Sequence, residues 1–239
     1  MASNILHKAG TRGHADHGWL NSHHTFSFAN YYNPERMQFG ALRVFNDDIV
    51  AGGRGFDAHP HDNMEIISIP LEGDLEHKDN LGNTEIVRQG DIQVMSTGTG
   101  VFHSEYNANK DRPVSFLQIW LFPNQLNVTP RYDQISLDLN NRKNRLQQII
   151  SPDPKDEGTW IYQDAWFNMG LFDKDKTIDY AVKKTGNGVY FFVISGSFII
   201  NGEPLDKRDG LGVTEAGNIN IKSIEEGSEL LIIDVPMIH

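Results

Sequence analysis

The chain has 239 residues, of which 38% are hydrophobic and 22% charged, with a formal net charge of -11 and no cysteine. The composition is that of a soluble globular protein with room for one large or two small domains. The acidic balance argues against a nucleic-acid partner, and the absence of cysteine excludes disulfides, thiolate metal sites and cysteine nucleophiles. No signal run or span of ~20 apolar residues occurs, so we expect no membrane partner and a cytoplasmic location.

Short apolar or alternating runs, separated by Gly, Asn and Asp, predict a chain that is mostly β-strand. In chain order, the predicted strands cover residues 41–44, 65–70, 85–88, 92–95, 115–121, 161–163, 189–194, 198–200, 218–221 and 229–235. Turn residues at 79–83 and at Asn201-Gly202 predict hairpins. Only residues 141–150 have a spacing that favours a helix, with Leu146, Ile149 and Ile150 on one face.

The two halves of the chain share a weak pattern of apolar strand, Gly turn and strand, followed by a second turn with Gly and Asp. The pattern covers residues 69–92 and again residues 192–211. It predicts an all-β fold of two related barrels. Prolines at 123, 130, 152 and 154 indicate a linker. We therefore predict an N-terminal barrel over residues 1–128, a linker over 129–156 and a C-terminal barrel over 157–239.

Two short pairs of residues carry the chemistry. His59 and His61 lie two positions apart, as do His103 and Glu105. Residues two apart on a strand share a face, so the pairs converge if both strands line one barrel. Three imidazoles and one carboxylate suit a divalent first-row metal. An isolated His-x-His pair is more often a solvated strand end, but the second pair favours a metal site.

Both pairs belong to longer motifs. Gly53, His59-Pro60-His61, Glu65 and Gly73 resemble the first cupin motif, and residues 90–107 resemble the second. Glu65 follows a shorter spacer than that motif expects, and the usual Pro near Ser96 is absent. A narrower pattern is carried by five segments: His24-Thr25-Phe26-Ser27-Phe28-Ala29, His59-Pro60-His61, Met64-Glu65-Ile66-Ile67, Gly98-Thr99-Gly100-Val101-Phe102-His103-Ser104-Glu105 and Phe116-Leu117-Gln118-Ile119-Trp120. In these segments the chain resembles the pirin family, above all bacterial members described as quercetin 2,3-dioxygenases.

The resemblance implies two tandem cupin barrels, each a double-stranded β-helix, with the metal in the first. Its implied ligands are His59, His61, His103 and Glu105. The metal is one divalent transition ion, with Fe(II) the first choice and Ni, Mn, Co, Cu or Zn compatible with the same ligands. Four ligands leave open positions, which catalytic metals need.

The function that the resemblance implies is a dioxygenase that cleaves a flavonol such as quercetin with O2 and releases CO. Glu105 is then also the candidate catalytic base. A second reading is a regulatory pirin that binds a protein partner according to the redox state of its metal. Isomerase or other cupin chemistry at the same metal stays open, because a fold does not fix a function.

Other residues receive weaker predictions. Glu65 has the strand parity of His59 and His61, which predicts a supporting or structural role near the ligands. The aromatic side chains most relevant to a cavity mouth are Phe45, Phe56 and Phe102, although such residues are more often core.

Two groups of histidines are expected to face solvent. His77 lies beside a predicted turn, and His14-Ala15-Asp16-His17 has a spacing that fits no strand pair. No His occurs between Ala108 and His239, so we expect a structural C-terminal barrel with Tyr190, Phe192 and Ile194 directed inward.

Overall fold

The computed structural model of the chain describes residues 3–237. These residues form twenty-two β-strands and two 3-10 helices, Ala9–Thr11 and Leu139–Arg142, and contain no α-helix. The predicted all-β class is confirmed. None of the described helices is long and apolar enough to cross a membrane.

The first twelve strands lie within residues 3–136. They are β1 (Ser3–His7), β2 (Gly13–Asp16), β3 (Leu20–His24), β4 (Leu42–Val50), β5 (Gly55–His61), β6 (Glu65–Glu72), β7 (Leu75–Asp79), β8 (Thr84–Val87), β9 (Asp91–Ser96), β10 (Val101–Asn107), β11 (Val114–Leu121) and β12 (Arg131–Ser136). A seven-stranded sheet in the order β12-β9-β6-β11-β4-β3-β2 faces a four-stranded sheet in the order β5-β10-β7-β8.

The remaining ten strands repeat this plan. They are β13 (Gln147–Ser151), β14 (Thr159–Trp160), β15 (Trp166–Phe172), β16 (Thr177–Ala181), β17 (Asn187–Ser195), β18 (Phe198–Ile200), β19 (Glu203–Leu205), β20 (Gly210–Thr214), β21 (Asn218–Ser223) and β22 (Ser228–Pro236). Their sheets are β1-β20-β17-β22-β15-β13-β14, with seven strands, and β16-β21-β18-β19, with four. Two barrels of matching design confirm the predicted tandem arrangement.

Strand pairing connects the start of the chain and the predicted linker, residues 129–156, to the sheets of the two barrels. β1 pairs with β20, so the start of the chain belongs to the C-terminal sheet. Within the predicted linker, β12 pairs with β9 of the first barrel and β13 pairs with β15 of the second. Each added strand covers a sheet edge whose backbone groups would otherwise lack partners. The start of the chain therefore connects to the second barrel through β1, and the predicted linker supplies one strand to each barrel.

The predicted helix over residues 141–150 is wrong. The 3-10 helix ends at Arg142, Asn144 has a φ of 54°, and β13 follows from Gln147. A left-handed residue interrupts a helix. The β-branched Ile149 and Ile150 favour a strand once β15 supplies backbone partners.

The largest apolar core lies between the barrels. Phe45 of β4 packs against Phe192 of β17, with ring centroids 4.6 Å apart, and Tyr190 lies 5.9 Å from Phe45. Tyr190, Phe192 and Ile194 therefore face the first barrel, whereas Phe191 and its alternating neighbours fill the second. The prediction that Tyr190, Phe192 and Ile194 point into the second barrel is therefore wrong. The alternate residues of β17 point there instead, because neighbouring side chains on a strand face opposite sides.

Candidate metal centre

Strands β5 and β10 are adjacent and bring their histidines together. His59 is the direct pairing partner of His103, and the register shifts between His103 and Glu105. The ring centroids of His59 and His61 lie 4.8 Å apart, those of His59 and His103 4.5 Å, and those of His61 and His103 5.0 Å. The three predicted histidines therefore converge on one point.

The nitrogen atoms of this cluster are suited to a metal. One ring nitrogen from each histidine lies within 4.8 Å of the other two. His59 Nδ1 donates a hydrogen bond of 2.8 Å to the carbonyl of Asp57, which leaves the Nε2 lone pair of His59 for a ligand. His61 Nε2 and both ring nitrogens of His103 are buried without a partner in residues 3–237. Buried polar atoms are normally satisfied, so a cation fits this position.

The protonation states support the same reading. Burial, followed by the neighbouring imidazoles, lowers the pKa of His61 to about 4. Burial and then His59 lower the pKa of His103 to about 3. Both rings are therefore neutral near pH 7, and the neutral ring is the form that binds a metal.

Glu105 lies in the same cavity but is held by other residues. Ser68 Oγ donates to Glu105 Oε1 at 2.9 Å, and Gln118 Nε2 donates to Glu105 Oε2 at 2.7 Å. Within the described part of the chain, the group of mutually close ligand atoms consists of the three histidines, without Glu105. The role of Glu105 as a fourth ligand stays a prediction.

A cavity of about 520 Å³ opens beside the histidines. This volume is in the range of small-molecule sites. The cavity lies between the two sheets of the first barrel, and its walls combine aromatic and polar side chains from β3, β4, β5 and β11. Beside the three histidines and Glu105, they include His24, Phe28, Tyr31, Asn46, Asp48, Phe56, Gln118 and Trp120.

The three phenylalanines predicted for the cavity mouth differ in their positions. Phe56 lines the cavity and packs edge-on against Trp19, with centroids 5.3 Å apart. Phe102 is 55% exposed, because it alternates with the inward His103 on β10. Phe45 lies in the core between the barrels. The predicted contribution of Phe45 and Phe102 to the cavity mouth is therefore not seen in the described structure.

Glu65 is buried away from the cavity. Ser96 Oγ donates to Glu65 Oε2 at 2.7 Å, and burial raises the pKa of Glu65 to about 7. Asn63 has a φ of 46° in the turn between β5 and β6. This turn breaks the strand alternation that would place Glu65 on the same face as His59 and His61. The geometry therefore supports a structural role for Glu65.

The expectation of an exposed His77 is wrong. His77 is fully buried; Gln93 Nε2 donates to its Nδ1 at 3.0 Å, and its Nε2 donates to Asp79 Oδ2 at 3.0 Å. Its ring lies 5.4 Å from that of His103. Alternation of buried Leu75, His77 and Asp79 along β7 was the signal that could have placed it.

The N-terminal histidines behave differently from the metal cluster. His14 and His17 are exposed at the mouth of the cavity, and His14 stacks on His23 with centroids 4.6 Å apart. Sequence reasoning did not identify His24, Asn46 and Asp48 as cavity residues. For Asn46 and Asp48 the reason is that both faces of β4 are buried and its pattern shows little alternation. His24 lies on β3, whose alternating burial was a usable signal.

Comparisons with known proteins agree with this geometry. Residues 6–121 match the family model described as Pirin, and residues 148–235 match that of the quercetinase C-terminal cupin domain. A protein of Escherichia coli K12 named quercetin 2,3-dioxygenase is 42% identical over 97% of this chain and 98% of its own length. A Caulobacter vibrioides pirin-like protein is 38% identical over 93% of this chain and 95% of its own length.

Solved structures give the same result. The crystal structure of the bacterial pirin YhhW from Escherichia coli, in complex with nickel(II), has a TM-score of 0.93 and 41% identity. The alignment covers 99% of this chain and all of that one.

Proposed function

This chain belongs to the pirin family, and from that premise we propose that it is a metal-dependent dioxygenase that cleaves a flavonol such as quercetin with O2 and releases CO. The observation that carries the proposal is the cluster of His59, His61 and His103, whose ligand nitrogens lie within 4.8 Å of one another beside a cavity of substrate size. The name of the relative in Escherichia coli supports the reaction class.

The proposed ligands are the three histidines, with Glu105 as the fourth. Fe(II) is the proposed metal, and the existence of a nickel(II) complex of the related pirin supports a divalent transition ion as the cofactor. Ni, Mn, Co, Cu and Zn suit the same donors. When bound, the ion supplies a Lewis acid that stabilises a deprotonated substrate hydroxyl.

Glu105 is the proposed base for that hydroxyl. Ser68 and Gln118 each donate to one of its oxygens, which orients the carboxylate in the cavity. A carboxylate oxygen has two acceptor sites, so each can still accept the substrate proton while it keeps its protein partner. Glu105 therefore has both an orientation and a free acceptor position.

The cavity walls suit a flat aromatic ring. Phe28, Phe56 and Trp120 line the cavity, and the Trp120 ring lies 4.8 Å from that of His61 in an edge-on arrangement. Trp120 Nε1 is buried and has no hydrogen-bond partner in residues 3–237. It offers a donor to a substrate oxygen next to the metal ligands.

The test is to load the protein with Fe(II) without oxygen, add quercetin, admit air and follow flavonol absorbance and CO. The proposal expects loss of the absorbance with CO release, and neither with the metal-free protein. Metal bound without turnover, over a panel of flavonols and enediols, would reject the enzyme and favour a redox-dependent interaction with a protein partner.

A further inference from the structure

A row of polar side chains crosses the inner face of the seven-stranded sheet. Strand pairing places them side by side, one per strand, from β3 to β9: His24, Asn46, Gln118, Ser68 and Gln93. All five are buried. Burial of polar groups is unfavourable unless they form hydrogen bonds, so the partners of this row indicate its purpose.

The centre of the row and Gln93 Nε2 at its β9 end have protein partners. Gln93 Oε1 has none in residues 3–237, but Gln93 is not among the residues that line the cavity. Gln118 and Ser68 both donate to the carboxylate of Glu105. Gln93 Nε2 donates to His77 Nδ1, next to the ring of His103. This part of the row supports the candidate metal centre.

The β3 end of the row differs, although it lines the same cavity. His24 is 4% exposed and Asn46 is 2% exposed. His24 Nδ1 and Asn46 Oδ1 are buried with no hydrogen-bond partner among the described residues. Two unpaired polar atoms side by side in a cavity wall are the signature of a site that a ligand completes.

Asp48 is a third buried polar residue at this end of the row. It lies two residues from Asn46 on the same face of β4, is 4% exposed and lines the cavity. Ser22 Oγ donates to Asp48 Oδ1. Burial raises the pKa of Asp48 to about 7, so near neutral pH this carboxyl can donate to a ligand hydroxyl as the acid or accept from it as the carboxylate.

We propose that His24, Asn46 and Asp48 form a hydrogen-bonding subsite for the ring hydroxyls of the substrate that are remote from the metal. This inference rests on the proposed function and specifies its substrate class as a polyhydroxylated aromatic compound. Asn46 Oδ1 only accepts, and a phenolic hydroxyl supplies the donor. Adjacent strands lie ~4.8 Å apart, so His24, two strands from Gln118, is ~10 Å from the residue that holds Glu105. A tricyclic flavonol spans a comparable distance.

The test measures binding without oxygen, so that no turnover is needed. Metal-loaded protein is titrated with quercetin and with 3-hydroxyflavone, which keeps the metal-binding hydroxyl and lacks the remote ones; tryptophan fluorescence reports binding. We expect the wild type to bind quercetin roughly tenfold more tightly, because the site's buried polar atoms stay unpaired with the simpler ligand. Asn46→Leu should remove this preference and leave the affinity for 3-hydroxyflavone unchanged.

Asn21→Leu is the matched control. Asn21 lies on β3 beside the inward Ser22 and pairs with Ile49 of β4, and its side chain shares a hydrogen bond with the exposed His14. This variant should keep the preference for quercetin. If Asn46→Leu does not fold, Asp48→Asn, which keeps the shape of the side chain, should reduce the same preference.

Two results would overturn the subsite: equal affinity of the wild type for the two flavonols, or an equal loss for both ligands in Asn46→Leu at unchanged metal content. Neither depends on turnover. A protein that prefers quercetin without oxygen but fails to cleave it in air would keep the subsite and reject the proposed reaction. Turnover of quercetin without any such preference would keep the proposed reaction and reject the subsite.

Discussion

His59 and His103 lie directly opposite each other on β5 and β10, with ring centroids 4.5 Å apart. The pairing of two strands thus brings together residues that are far apart in the sequence. His61 joins them because it lies two residues from His59 on the same face. The three histidines are therefore carried by two paired strands rather than by loops.

Replacement of His103 separates metal binding from folding. His103→Leu should abolish metal binding, since it removes one of three clustered imidazoles. It should raise the free energy of unfolding of the metal-free protein by about 1 kcal/mol, because both ring nitrogens of His103 are buried and unpaired. Metal analysis and urea unfolding measure the two effects. His14→Leu, at an exposed position, is the control and should change neither; lower stability of metal-free His103→Leu would contradict the prediction.

Glu105→Gln tests the proposed base. The amide has nearly the same shape but does not accept the substrate proton, so part of the metal should remain while turnover falls by about 10²-fold or more. Metal content and the rate of flavonol loss are measured on the same sample. Full activity in this variant would discard the role of Glu105 as the base.

Glu65 gives the protein a pH-dependent stability. Burial raises its pKa from 4.5 to about 7, so the folded state favours the neutral acid. The stabilisation is complete below pH 4.5 and is lost as the pH rises towards 7, because the unfolded chain then releases the proton that the folded chain retains. Glu65→Gln should flatten this decline. Urea unfolding of both proteins at intervals from pH 4.5 to 8 measures it, and parallel curves would contradict the assignment.

Replacement of two phenylalanines that were predicted for the same role should change the stability by very different amounts. Phe45→Ala should lower the free energy of unfolding by about 3–5 kcal/mol, because Phe45 is completely buried between the barrels. Phe102→Ala should change it by less than about 0.5 kcal/mol, since Phe102 is 55% exposed. Chemical denaturation compares the two variants. Similar losses of unfolding free energy in both variants would contradict the assignment of Phe45 to the core between the barrels.

Several features followed from the residues alone. Alternation along a strand is a local property, so the two-residue spacing of His59 with His61, and of His103 with Glu105, was enough to predict a common face for each pair. Glycine and asparagine turns between short apolar runs predicted the β class, and the motifs around these pairs predicted the family. Each of these inferences depends on a local pattern in the sequence.

Tertiary structure decided what each face meets. A turn at Asn63 separates Glu65 from the parity of His59, and Phe192 points to the first barrel rather than into its own. The pairing of β1 with β20 and the polar row that ends at His24 arise only when distant strands become neighbours. Strand periodicity fixes which side chains share a face, whereas long-range pairing and packing between layers determine whether that face meets solvent, core or cavity.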